Sequence, residues 1–195
     1  MDPDGRRDLT VEEIDFIYEI LGNDGLAVTD NLSVKMAPKD RAGSMIWHTI
    51  YLERSVYVDS LKTSRGKNDL IHETFHQVQF MFNSAIPSII PLVGIGESAW
   101  DKLGMEQLLF ATGFDVYSFG DYRDYDISIY SCLNDIPFLE AQAQLVGNYA
   151  QLYDNAKNGI KLSEKEKKAL KKSAEILNNS GFEESESVKW VLENY

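Results

Sequence analysis

Ile71-His72-Glu73-Thr74-Phe75-His76 is the stretch from which the rest of the chain is read. On an α-helix its two histidines fall four residues apart, one turn above the other on one face. That spacing lets two imidazole nitrogens meet one zinc ion at about 2.0–2.1 Å. Glu73 follows the first histidine and points to the flank of that face. A carboxylate there can hold a metal-bound water and take its proton. The alternative is a helix whose histidines are satisfied by ordinary hydrogen bonds. The flanking residues argue against it, because Leu70, Ile71, Phe75 and Val78, followed by Phe80-Met81-Phe82, form the apolar side of a buried helix. Two imidazoles and a carboxylate on such a helix would be costly to bury with no ion between them.

At 195 residues the chain makes one domain, or one domain with a tail, and is long enough to bury a full core. A net charge of −12 disfavours nucleic acid and anionic membrane surfaces as partners. One cysteine, Cys132, leaves no intrachain disulfide and no Cys-based zinc site, and reads as a small core residue. The opening, Met1 to Asp8, is polar and lacks the apolar segment of a secretory signal. The most apolar run, Ala85 to Ile95, is too short to span a bilayer and carries two prolines. The expectation is a soluble chain made in the cytosol, with no integral membrane segment and any export by a route not encoded in this sequence.

Around the motif the chain reads as α+β, mostly α. Thr10 and Glu13 have capping-box spacing, Ile14, Ile17, Tyr18 and Leu21 form an apolar stripe, and Gly22 ends that helix. Leu26 to Val34 carries short alternating apolar positions. Ser44 to Val58, rich in β-branched and aromatic residues, predicts a small sheet or hairpin beside the motif helix, with His48 in a strand. That layout suits zinc peptidases, whose sheet edge can hold an extended substrate by strand addition. The motif helix itself should run from about Asp69 to Phe82 with Asn68 as its cap. A further helix is expected over Ser98 to Leu109, and an ordered loop covering the site over Gly113 to Ile129. A second long helix begins with Pro137 in its first turn and breaks at Asn158-Gly159. Ser163 and Glu166 cap a charged helix, and Phe182 to Tyr195 is either a docking helix or a loose terminus. These readings divide the chain into a domain over 1–160 and a charged helical extension over 161–195.

A catalytic zinc site needs a third protein ligand and an open position for water. The three-histidine class places its third ligand six residues after the second, where this chain has Phe82. The remaining histidine, His48, precedes the motif, so an Asp or Glu must serve. Glu97, four residues before Asp101, and Glu140, in the first turn of an apolar helix with small residues at Ala143 and Gly147, both qualify on chemistry. His48, Tyr125, Tyr130 and Tyr149 are the candidates to assist an oxyanion or to support the ligands, against ordinary packing for each.

Leu70 to Gln79, followed by Glu140 to Tyr149, resembles the Vgr-related proteins. These are small zinc-metallopeptidase-like proteins encoded with bacterial type VI secretion spike genes. The chain is similar, too, to the wider group of toxin- and injection-system-associated metallopeptidase domains. Arg7 to Ile14 and Thr49 to Leu52 also fit that group's pattern, so the resemblance covers about residues 6–153. Gln77 stands where a Val-like residue is usual and Asn148 where Asp is common; neither position is a ligand. The resemblance implies a zincin-like fold with gluzincin-type ligands, and Glu140 rather than Glu97 as the third. It implies Zn²⁺ as cofactor and hydrolysis of peptide bonds with Glu73 as general base. Its implied substrates are a protein or a peptidoglycan stem peptide, with a secretion-spike or immunity protein as partner and export by a contractile injection system. The competing expectation is a catalytically silent, zinc-stabilised binding module of a secretion apparatus. An intact Glu73 favours the enzyme, since a purely structural site has no need of a general base.

Overall fold

The computed structural model describes residues 5–37, 44–46, 48–81, 106, 109 and 112–195. The capping box forms at the first helix, α1 (Val11–Thr29). Thr10 Oγ1 accepts from the Glu13 backbone N–H, and the Glu13 carboxylate accepts from that of Thr10. The helix does not end at Gly22. It breaks there, at φ 61° and ψ −147°, and resumes to Thr29. The break is where the C-terminal part of the chain docks. Ser185 backbone atoms lie 3.6 and 3.7 Å from where a Gly22 Cβ would stand, and Ser185 Oγ lies 2.9 Å from the carbonyls of Glu19 and Ile20. A positive φ costs glycine little, so the kink is tolerated where a side-chain-bearing residue would be strained.

Because α1 extends to Thr29, the strand after it is shorter than the alternating pattern implies. Strand β1 (Arg6–Asp8) pairs antiparallel with β2 (Ser33–Met36). Strand β2 pairs parallel with β4 (Thr49–Leu52), which pairs antiparallel with β3 (Ser44–Ile46), giving the order β1-β2-β4-β3. The stretch expected as sheet or hairpin over 44–58 is therefore the β3–β4 hairpin followed by a short helix, α2 (Arg54–Tyr57). His48 lies in the turn between the two strands, not within one. Val34, Ile50 and Leu52 are fully buried, and β4 lies against the motif helix.

The motif helix, α3 (Ser64–Met81), starts a turn before Asp69. Thr63 Oγ1 takes the capping role by accepting from Gly66 N at 3.0 Å. Asn68 is inside the helix instead, and donates to Asn148 Oδ1 at 3.0 Å on the second long helix, α4 (Leu139–Lys157). Pro137 precedes α4 by two residues, with Phe138 extended between them. Helices α3 and α4 pack along much of their length, and Gly147 permits their close approach. A Cβ there would stand 2.8 Å from Asn68 Oδ1 and 3.0 Å from Asn68 O.

The Ser163–Glu166 capping box forms at α5 (Glu164–Leu177), which continues through a π-turn into α6 (Glu186–Asn194). Leu170, Val188 and Val191 are fully buried, and Trp190 meets Tyr153 of α4 edge-on at 5.5 Å. The described structure is mostly helical with one small mixed sheet, the α+β class. No helix among the described residues is long and apolar enough to cross a membrane. Most of the helix expected over 98–109 lies outside the described residues, as do Glu97 and the apolar run 85–95; Glu106 and Leu109 are helical.

Candidate metal centre

Helix α3 turns His72 and His76 toward α4, and the first turn of α4 brings Glu140 between them. Glu140 Oε2 is 3.2 Å from His72 Nε2 and 3.3 Å from His76 Nε2. The three ligating atoms lie within 4.8 Å of one another. Tetrahedral coordination at about 2.0–2.1 Å puts ligand atoms about 3.3–3.4 Å apart. Both carboxylate–imidazole separations match that value. The donor set of two imidazoles and one carboxylate is one that zinc accepts, and the cluster could bind a metal ion. His72, Glu73, His76 and Glu140 retain 8, 5, 3 and 4% of their exposure.

The electrostatics follow from this burial. Burial opposes ionisation of Glu140, but the two imidazoles beside it hold its carboxyl well below the usual carboxylate range. Burial likewise opposes a charge on His76, but Glu140 outweighs it and pushes the imidazole up to about 9. Without a cation, the carboxylate and a proton on His76 neutralise each other; a bound metal ion takes the place of that proton. Burial raises the Glu73 carboxyl above its ordinary value against the pull of His72 and His76. A carboxylate with raised proton affinity is suited to general-base work.

Several polar residues hold this arrangement, and sequence reasoning had not singled them out. His76 Nδ1 lies 2.8 Å from Gln79 Oε1. Gln79 Nε2 donates across to α4, to Leu139 O at 3.1 Å and Gln142 Oε1 at 3.0 Å. Glu106 accepts from the backbone N–H groups of Leu139 and Glu140, at 2.9 Å each, satisfying two of the free donors at the start of α4. Burial pushes its carboxyl up to about 7 against those two bonds. A residue that caps a helix 33 positions downstream has no local sequence pattern. Gln79 could have been found from helical spacing, since it follows His76 by three residues; Gln142, two residues after Glu140, shares no face with it and gave no such signal.

The candidates for assistance are placed unevenly. His48 Nδ1 is 2.9 Å from Gln77 Oε1, so the exposed turn histidine contacts α3 beside the second motif histidine. The structure does not bring Tyr125, Tyr130 or Tyr149 to the cluster. Tyr125 and Tyr130 stack on each other at 6.0 Å, and Tyr125 packs on Phe119 at 5.0 Å in an aromatic group under the loop. Tyr149 lies nine residues along α4 from Glu140, about 13 Å at helical rise. It hydrogen-bonds Ser187 Oγ of α6 at 3.1 Å. The tyrosine beside the site is Tyr117, whose ring lies near-parallel to that of His72 at 6.2 Å. It stands on a 3₁₀ turn, Tyr117–Gly120, pressed onto α4 at Gly120, where a Cβ would overlap the Ala141 carbonyl. The loop expected over 113–129 thus contributes one aromatic side chain to the surroundings of His72.

No protein-family model matches this chain, and no curated protein or solved structure matches it either.

Proposed function

We propose that the chain is a zinc-dependent hydrolase of peptide bonds with a zincin-like arrangement of its motif helix, sheet and second ligand-bearing helix. The observation that carries this reading is the position of Glu140 Oε2, midway between two Nε2 atoms four residues apart, at ligand–ligand spacing. His72, His76 and Glu140 would hold the ion. A bound zinc ion supplies a Lewis acid and lowers the pKa of its water. Glu73 then acts at its carboxylate as the general base, taking a proton and passing it to the leaving amine. Tyr117 lies against the His72 ring and covers it on that side. Strand β3 is an end strand of the sheet and lies near α3, so an extended peptide adding to it would run past the motif helix. The resemblance to Vgr-related proteins extends the proposal to a secreted effector, or a processing enzyme of the delivery machinery. Its substrate would be a protein or a peptidoglycan stem peptide.

A second reading, a zinc-stabilised binding module, draws on the burial of all four motif and ligand side chains. The two readings part at Glu73. Bound zinc is measured first, and Glu140→Ala is expected to abolish it. Wild type and Glu73→Ala are then compared on protein substrates and on peptidoglycan. Loss of cleavage in Glu73→Ala with zinc retained supports the hydrolase. Identical behaviour in every assay, including toxicity on expression in the periplasm, leaves the binding module.

A further inference from the structure

The side-chain relay around His76 has a direction that only one set of hydrogen positions satisfies. It begins at Ile136 O, a backbone carbonyl, which can only accept. Gln142 therefore turns its amide nitrogen toward Ile136 O, at 3.1 Å, and its carbonyl oxygen toward Gln79. Gln79 meets two acceptors on that side, Gln142 Oε1 and Leu139 O, so its nitrogen must face them. Its oxygen must then face His76 Nδ1, at 2.8 Å. Nδ1 accordingly carries a hydrogen and donates it, and Nε2 is left as the atom whose lone pair can face an ion. Gln79, Gln142 and His76 are all at least nine-tenths buried, so water does not compete for these bonds.

We propose that Gln79 is the positioning residue of the metal centre. It sets the tautomer of His76 that presents Nε2, and it ties that ring to the turn of α4 carrying Glu140. One side chain thereby holds the second imidazole and the carboxylate in register across two helices. Glu106 grips the same turn from the other side through the N–H groups of Leu139 and Glu140. This inference rests on the reading of His72, His76 and Glu140 as metal ligands. Outer partners of this kind change metal affinity 10–100-fold when removed.

The test is the affinity for Zn²⁺, measured by competition with a chromophoric chelator on the full chain, with helical content and a urea midpoint recorded for each variant. Gln79→Met keeps the length of the side chain and removes its polar atoms; zinc affinity is expected to fall 10–100-fold. Gln79→Glu keeps an acceptor for the Nδ1–H but sets a second oxygen against Leu139 O and Gln142 Oε1, so it is expected to recover only part of that loss. If wild type binds no zinc, the metal-site reading fails and this inference fails with it. If wild type binds zinc, Glu140→Ala does not, and Gln79→Met matches wild type, this inference alone is overturned. A Gln79→Glu variant equal to wild type also overturns it, because the tie to Leu139 O and Gln142 Oε1 would then contribute nothing. Should Gln79→Met fail to fold, Gln142→Leu decides. That variant removes one of the two acceptors that fix the Gln79 amide and leaves Leu139 O. A several-fold loss of affinity supports the relay, and wild-type affinity refutes it.

Discussion

Glu13→Ala is the substitution whose consequence can be worked through most fully. The Glu13 carboxylate is buried and accepts four hydrogen bonds. Arg7 provides a two-pronged pair at 2.6 and 2.7 Å, Ser60 Oγ a bond at 2.6 Å, and Thr10 N one at 2.9 Å to the same oxygen as Arg7 Nη1. These donors come from β1, the start of α1 and the turn at Ser60, whose carbonyl sits where a Gly66 Cβ would stand at the start of α3. Glu13 thus ties the sheet and α1 to the first turn of the motif helix. Removing one partner of a buried pair costs about 3–5 kcal/mol. The Arg7 side chain keeps 21% exposure against 3% for Glu13, so water can partly re-solvate it, and the lower end, about 3 kcal/mol, applies. Against a total stability of about 5–15 kcal/mol this is a large fraction. The assay is equilibrium urea unfolding of wild type, Glu13→Ala and Glu13→Gln between pH 3 and pH 7, a range of roughly the kind over which carboxylates titrate. Burial alone would raise the Glu13 pKa, but the bonds from Arg7, Ser60 and Thr10 bring it below its ordinary 4.5. A depressed carboxylate contributes stability above its unfolded pKa and loses it as pH falls through the folded one. Wild type should therefore lose this contribution in acid below about pH 4.5, and Glu13→Gln should show a flatter acid limb. A cost under about 1 kcal/mol for Glu13→Ala, or equal acid limbs for wild type and Glu13→Gln, would refute the reasoning.

Three other outcomes are expected. Gly120→Ala forces the Tyr117 turn away from the Ala141 carbonyl; it should cost about 1–3 kcal/mol in urea unfolding and weaken zinc binding by moving the ring beside His72. Tyr149→Phe removes one bond to Ser187, which keeps Ser185 Oγ as a partner at 3.0 Å; it should cost about 0.5–1.5 kcal/mol and leave zinc affinity unchanged. Zinc at about 100 times its dissociation constant should stabilise the metal-free chain by about 2.7 kcal/mol in a thermal melt, an effect reversed by a chelator and absent in Glu140→Ala.

How much of this was legible in the sequence differs from feature to feature. The capping boxes at Thr10–Glu13 and Ser163–Glu166 were readable because each bond closes within four residues. The end assigned at Gly22 was not, because the same glycine that would stop an isolated helix is here a kink against which Ser185 docks from the far end of the chain. Asn68 was assigned a local capping role, but its side chain is used across the helix pair, at Asn148. Among tyrosines crowded into one loop, composition could not tell which ring reaches His72; the 3₁₀ turn that presses Gly120 onto α4 selects Tyr117.

The sequence by itself determined the pair His72 and His76 on one helical face with Glu73 beside them, since a four-residue spacing and a 3.6-residue turn settle that without reference to the rest of the chain. It also narrowed the third partner to a carboxylate, because no histidine follows His76. Only the tertiary structure decided that Glu140, 64 residues on, lies 3.2 and 3.3 Å from the two imidazoles, and that Gln79 and Glu106 hold the turn that carries it. Those contacts are made between helices, and their geometry is set by how closely α3 and α4 pack at Gly147 and by which buried donors find acceptors, neither of which has a period along the chain.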